Sequence, residues 1–541
     1  MLKTGPKRLL TLFVLLMVVS LLVACGAAAV PQAGTGASSA ALEEAEMKAK
    51  AAEEAQKAAE EAMMKAEEDK KAVEEALMKA EEEKKAAEEA AMKAEEEQQK
   101  AAEEAAVMAK EEAMAAVGFN WPEGLAKFGK LAAVDPSGQT VVWWHNHSGS
   151  REERLLAMID QFNQENPYGI TVEAINQGSY DDIREKMGAS IVSGDLPGVI
   201  VGYQNDQAFY ASVDALVDMD IYVNDEHWGL SDAEKKDFAQ GIYFQDVHPA
   251  FDNQRLGFPP NRSMEVLYYN KTWLEELGYD PATMAAISPE LFEEISCAAA
   301  KTRDDGSGGY IISFDASQVA SGALARGGNV LSEDGLGYRY NSPELLDYFT
   351  QIKQMYDNGC AWISPERFHD AEFSARQAIF YAGSTSGLPF AQESLDAAGN
   401  TDEWGIAPIP YTTETPRQNL YGGSVMMPKG APENELASWI FIRWFTSPEV
   451  QAEWVKASNY FSPRLSVGAL LEDYIVTNPK FADALALLPY AEFEPQLISY
   501  ADVRNAVSET FNQIISGDVD IAQALADLDA QVAEIHAEAI E

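Results

Sequence analysis

The stretch TVVWWHNHSGSREERLLAMIDQFNQENPYGITVEAI, Thr140–Ile175, decides the fold. A β-branched and aromatic run reads as a buried strand. A loop with two histidines follows, then EERLLAMIDQFNQENP, apolar at helical spacing, and a second strand, ITVEAI. Strand, helix and strand in this order make an α/β unit with a parallel pair. Ligands in such sheets sit in the crevice beyond the carboxyl ends of the strands. That places the loop carrying His145 and His147 at a candidate site. A metal would need a third or fourth ligand, and the other four histidines stand alone in DEHWG, DVHPA, RFHDA and EIHAE. None has metal-ligand spacing, so no metal site is expected.

Further along, GVIVGY, MEVLYY, GYIISF and AIFYAG read as short buried strands, and ELASWIFIRWFTSPEVQAEWVK as an amphipathic helix. The chain beyond residue 134 spans about 400 residues, more than one core usually holds, so two α/β lobes with largely parallel sheets are expected.

The segment before the lobes has a different character. Lys3, Lys7 and Arg8 precede the apolar run Leu9–Ala24, a secretory leader too short for a spanning helix. Gly26–Ala40 is a small-residue linker. From 41 to 116 the composition turns to Ala, Glu, Lys and Met, with MKAEE opening at Met64, Met78 and Met92. Glu leads Lys by four residues repeatedly, as at Glu53/Lys57, Glu67/Lys71 and Glu81/Lys85, the orientation that stabilises a single helix. Such a stalk would reach roughly 110 Å. Its heptad seam is mostly Ala and is broken by Gln56, Lys70 and Lys84, which favours a lone helix over a coiled coil. Residues 117–134 form a connector.

The formal charge of -47 argues against nucleic acid as a partner. Beyond Cys25 only Cys297 and Cys360 remain. In an oxidising compartment such a pair forms a bridge or stays as two buried thiols. Cys297 ends ELFEEISC, and Cys360 follows the helix stop MYDNG. A bridge is the expectation.

Two resemblances sharpen the reading. LVAC, Leu22–Cys25, resembles the bacterial lipobox, which implies lipidation of Cys25 and an anchor on the outer face of the cell membrane. Six pieces resemble, in order, the bacterial extracellular solute-binding proteins of family 1, receptors of ABC importers. They are VVWWH through GITV, IREKMGASIVSGDLPGVIVGY, LGFPPNRSMEVLYYNKTWLEELG, RQAIFYAGSTSGLP, WGIAPIPYTTETPRQNLYGGSVMMPKG and ASWIFIRWFTSPEVQAEWVKASNYFSPR. The resemblance implies a two-lobed type-2 periplasmic-binding-protein fold with a ligand cleft between the lobes, set behind the α-helical stalk. It implies a first lobe of 135–258 plus 376–427 and a second of 259–375 plus 428–541. The chain would cross near Phe258–Ser263, Ala378–Gly383 and Met426–Pro428, and both cysteines would fall in the second lobe.

The resemblance carries ligand-binding roles to His145, Asn146 and Ser148 in the opening loop, with β1 ending at His145 so that the bend separates His147 from it. It carries them also to Asn205, Asn261, Ser263, Asp315, Ser317, Ser384, Thr385, Tyr421, Gly423, Tyr460, Arg464 and Tyr500. Amides, carboxylates and hydroxyls bind vicinal hydroxyls, aromatic faces pack on sugar rings, and Arg464 would take a phosphate or carboxylate. The implied molecule is a monomeric receptor without cofactor, passing a sugar or related polyol to a permease. A hydrolase needs two carboxylates held about 5–9.5 Å apart, and no short motif proposes such a pair. A wall-spacing or adhesive role for the stalk is the other alternative.

Overall fold

The computed structural model describes residues 119–540 together with Lys50, Lys57, Lys65 and Lys71, all four exposed and helical. The leader with Cys25, the linker 26–40 and the rest of the stalk 41–116 lie outside the described residues. Among those described, no helix is long and apolar enough to cross a membrane.

In chain order the elements are β1 (Thr140–His145), α1 (Gly149–Glu165), β2 (Thr171–Asn176), α2 (Tyr180–Ser193), β3 (Val199–Gly202) and α3 (Gln204–Ser212). After short turns of helix come β4 (Ser263–Asn270), α4 (Pro289–Ala300), β5 (Gly308–Ile312), α5 (Ala316–Ala325), α6 (Pro343–Asp357) and β6 (Ala361–Ile363). Then follow β7 (Ala378–Ser384), α7 (Leu388–Ala398), β8 (Trp404–Ala407), β9 (Gln418–Tyr421) and β10 (Ser424–Met426). The last are α8 (Pro432–Phe445), α9 (Pro448–Ser458), β11 (Ala491–Phe493), α10 (Tyr500–Ser516) and α11 (Ile521–Ile540).

Two sheets organise the lobes. The first has the order β10-β3-β1-β2, with β1 parallel to both neighbours and β10 antiparallel to β3. Its core sets Trp143 on β1 against Phe441 and Phe445 of α8, with ring centroids 5.3 and 5.5 Å apart. The second has the order β11-β9-β4-β7-β5-β6, with β8 also on β4. It is mixed, not largely parallel as expected, because β4 runs antiparallel to β7, β8 and β9. Its core gathers β4, β5 and β7 with α4, α5, α6, α10 and α11.

Strand pairing redraws the expected lobes. β7, β8 and β9 lie in the second sheet, so of 376–427 only β10 joins the first lobe. Conversely α8 and α9 pack in the first-lobe core, although 428–541 was assigned to the second lobe. The real crossings are the approach to β4 at 258–263, the step Gly422–Gly423 between β9 and β10, and the exit from α9, where Phe461 bridges Arg262. Ala378–Gly383 is instead an inner strand, and Met426–Pro428 stays in the first lobe. The expected single helix over 435–456 breaks at Thr446–Ser447, because Pro448 has no N–H to continue the ladder and opens α9.

The connector is part of the first lobe. Ala126 and Leu131 are buried, Trp121 meets Phe162 at 5.8 Å, and the Tyr168 hydroxyl donates to the Pro122 carbonyl. In the second lobe Cys297 and Cys360 form the expected disulfide, with Cα atoms 4.3 Å apart. It ties α4 to the residue before β6, after Gly359 turns left-handed at φ 69° to end α6.

Where the chain crosses, a polar network is fully buried. Arg262 lies 3.7 Å from Asp246, both with no exposed side-chain surface. The guanidinium also donates to Gln245 Oε1, to the Asn261 carbonyl and to Ser424 Oγ. Gln204, Gln207 and Ser424 donate to Asp246, and His248 bonds Gln207. Asp246→Ala would leave Arg262 buried without its counter-charge, so it should lower unfolding free energy by about 3–5 kcal/mol. An apolar pair, Asp246→Leu with Arg262→Met, should lose much less. Urea denaturation of both variants checks the ordering.

Candidate functional site

The crossings bring the carboxyl ends of β1, β2 and β3 against the second sheet. On the first-lobe side the chain leaves each strand into a helix, and the residues at those exits line a wall. Tyr180 opens α2, and Tyr203 precedes α3, their rings 4.7 Å apart. Asn146 lies beside the Tyr180 hydroxyl, and its own Oδ1 is buried with no partner. Tyr460 and Arg151 complete this wall, with the guanidinium 5.0 Å from the Tyr460 ring centroid. Gly423 makes the fit possible, since a Cβ there would stand 2.9 Å from the Tyr180 ring. Its neighbour Gly422 has φ 149°, and a Cβ there would meet the Arg262 backbone at 3.2 Å. Side chains larger than hydrogen would therefore push the two walls apart.

The second-lobe wall is built by register. Ser263 pairs with Tyr421, and Glu265 with Ser384, so β4, β7 and β9 deliver one polar patch. The Tyr421 hydroxyl donates to Glu265 Oε2 at 2.5 Å. Beside it Arg504 of α10 donates to Asp315 at 3.0 Å, to Glu494 at 2.8 Å and to Ser317 Oγ at 2.9 Å. Ser317 and Tyr500 also donate to Glu494. Burial works against the charge on Arg504, but Glu494 and Asp315 more than offset it and raise its pKa. Burial would likewise raise Asp315, yet Arg504 and the Ser317 N–H bring it below the usual carboxylate value.

The walls touch. The Arg151 guanidinium donates to the Ser386 carbonyl and lies 4.6 Å from the Phe390 ring centroid, both in the second lobe. Arg184 of α2 stands 4.0 Å from Asp502 of α10 and 3.7 Å from Asp206. Burial lifts Asp206 to about 6.

The expected residues divide accordingly. Asn146, Tyr421, Gly423 and Tyr460 are gathered with Ser263, Asp315, Ser317 and Ser384, and Tyr500 joins them through Glu494. Ser148 caps α1 at the rim without a side-chain bond. Asn205 donates to Asp206, Asn261 accepts from Trp454, and Thr385 accepts the Met264 N–H, so these three serve the walls from behind. His145 is buried under Trp143, and burial lowers it to about 4. His147 is not separated from it. The rings stack at 5.7 Å, and the His147 N–H donates to His145 Nδ1. Among the described residues no group of three His, Cys, Asp or Glu could hold a metal ion.

Arg464 is a correction. It is buried beneath the first lobe, donating to the Thr446 and Glu234 carbonyls, 3.6 Å from Asp237 and 3.8 Å from the Phe238 ring centroid. Its donors are occupied away from the cleft. Sequence reasoning missed Arg151, Tyr180, Tyr203, Glu265, Glu494 and Arg504. A signal existed for Tyr180 and Tyr203, which follow strand ends, and for Glu265, the one charge inside MEVLYY. Glu494 and Arg504 gave none.

Burial raises Glu265 to about 8, Asp315 and Glu494 adding to the effect while the Tyr421 hydroxyl opposes it. The folded protein thus keeps a proton that the unfolded chain releases near 4.5. The stability tied to this proton is full below that value and is lost as pH rises toward 8. Calorimetric melting should therefore show Glu265→Gln gaining on the wild type between pH 5 and 8 and levelling above. A difference that stays constant over this range would contradict the assignment.

Comparison with known proteins agrees with this architecture. The family described as bacterial extracellular solute-binding protein matches residues 157–483. The sn-glycerol-3-phosphate-binding periplasmic protein UgpB of Rhizobium meliloti is 23% identical over 403 residues, 71% of this chain and 90% of that protein. Solved structures share the fold, among them two sugar- or glycerophosphate-type binding proteins. UgpB from Mycobacterium tuberculosis in complex with glycerophosphocholine aligns with TM-score 0.66 and 19% identity, over 75% of this chain and 100% of that one. The cyclic alpha-maltosyl-1,6-maltose binding protein from Arthrobacter globiformis aligns with TM-score 0.61 and 20% identity, over 74% and 99%.

Proposed function

We propose a ligand class and a partner for a chain that belongs to the bacterial extracellular solute-binding protein family. The ligand is a saccharide or related polyol, glycerophosphates included, bound between the lobes and handed to an ABC permease. The observation that carries this reading is the meeting of Asn146, Tyr180, Tyr203 and Tyr460 with Glu265, Asp315, Tyr421 and Arg504 across one cleft. Aromatic faces suit the apolar side of a sugar ring, and carboxylates and amides suit its hydroxyls. The solutes named for similar proteins, glycerophosphates and maltose-type sugars, belong to the same chemistry. Asp315 and Glu494 are both tied to Arg504, which suits holding a ligand better than moving protons.

A ligand touching both walls closes the lobes by binding the closed state more tightly than the open one. The protein would act as a monomer held by a lipid on Cys25, with the charged segment 41–116 as spacer and the linker 26–40 giving it reach. The segment 41–116 carries 24 acids against 12 lysines, in a chain that is itself strongly acidic.

Titration calorimetry against a panel of sugars and glycerophosphates, with X-ray scattering on each hit, tests the proposal. The expected result is one saturable solute and a smaller radius of gyration when it binds, with the same affinity in a protein beginning at Gly118. No binding by any member, or turnover of an oligosaccharide, would count against it.

A further inference from the structure

Among the described residues four arginines are buried: Arg151, Arg255, Arg262 and Arg464. Three have a carboxylate within 4 Å, namely Asp220, Asp246 and Asp237. Among the described residues no carboxylate pairs with Arg151, although only 8% of its surface is exposed. Its Nε is buried without any partner. A guanidinium taken from water without a counter-charge is costly, and the Phe390 and Tyr460 rings with one carbonyl meet only part of its needs.

Its position adds to the argument. Arg151 stands in the first turn of α1, a helix of 17 residues whose N-cap Ser148 makes no side-chain bond to the free N–H groups. That end of a helix favours negative charge. The same loop presents the unpartnered Asn146 Oδ1, an acceptor that a hydroxyl would fill.

We infer that the solute carries an oxyanion, a carboxylate or a phosphate, bound by Arg151 at the first-lobe wall with a neighbouring hydroxyl on Asn146. This deepens the receptor reading above and rests on it. The subsite also couples binding to closure, because the same guanidinium donates to Ser386 across the cleft. An anion that fixes Arg151 in this pose holds the second lobe against the first.

The test compares acidic solutes with their neutral counterparts: D-galacturonate with D-galactose, and glycerol 3-phosphate with glycerol. Calorimetry is run on the wild type, Arg151→Gln and Arg151→Lys at low and high salt, with inorganic phosphate as a separate thermal-shift probe. The wild type should prefer the acidic member by roughly thirtyfold or more, less at high salt. Arg151→Gln should abolish that preference. Arg151→Lys, which keeps the charge but lacks Nε, should retain part of it and serves as the comparison if the glutamine variant does not fold. Whichever acidic member binds distinguishes carboxylate from phosphate. Neutral solutes binding as well as acidic ones, or a preference that survives in Arg151→Gln, would overturn the subsite while the receptor stands. Phosphate stabilising only proteins with a cation at 151, with no organic solute bound, would sustain the subsite and sink the receptor reading. No response to phosphate or to any solute would overturn both.

Discussion

Arg262 and Asp246 face each other with no exposed side-chain surface where the chain passes from one lobe to the other. A buried ion pair adds little net stability, but it accepts only partners that complete its hydrogen bonds. Here partners from distant parts of the chain, Gln204 and Gln207 on α3 and Ser424 on β10, join the neighbouring Gln245 side chain and Asn261 carbonyl. The network therefore fixes two of the three crossings, 258–263 and Gly422–Gly423, relative to the first-lobe sheet. Gly422 and Gly423 let β9 turn into β10 within a step, close against Arg262 on one side and Tyr180 on the other. Each wall of the cleft is thus referenced to the same few buried atoms.

From that reference the site follows by strand geometry. The register of β4 with β7 and β9 sets Ser263, Glu265, Ser384 and Tyr421 on one patch. The exits of β1, β2 and β3 set Asn146, Tyr180 and Tyr203 opposite. The electrostatics are uneven in a useful way. Arg504 is satisfied by two carboxylates of its own lobe, whereas Arg151 meets its neighbours through rings and one carbonyl. The cation of the second-lobe wall is fully paired, and the first-lobe wall has the Arg151 Nε donor and the Asn146 Oδ1 acceptor to spare.

Much of this was legible from the sequence, for physical reasons. Runs such as TVVWW and GVIVGY have only one comfortable state, a buried strand, so the α/β lobes could be read from period and composition. Asp315, Tyr421 and Tyr460 were placed instead by the resemblance of the segments around them to the solute-binding family. What failed depended on pairing between distant segments. AIFYAG reads as a strand in either lobe, and only its ladders with β4 and β5 put it in the second. Arg464 looked available because a buried arginine and a cleft arginine are the same letter, and its partners Thr446, Glu234 and Asp237 lie far away in sequence. Glu494 and Arg504 were invisible for the same reason, each being meaningful only beside the other. Arg151 hid among the charges of SREER, where a solvated helix start is the ordinary reading.

The central claim is that the two walls close on a solute. The direct measurement is the distance between spin labels at Val192 and Val476, which are 89% and 81% exposed and sit on different lobes. With a solute that saturates the protein by calorimetry, pulsed dipolar spectroscopy should show one narrow distribution, against a broader one displaced from it without solute. Identical distributions in the two conditions, with saturation independently established, would contradict the account.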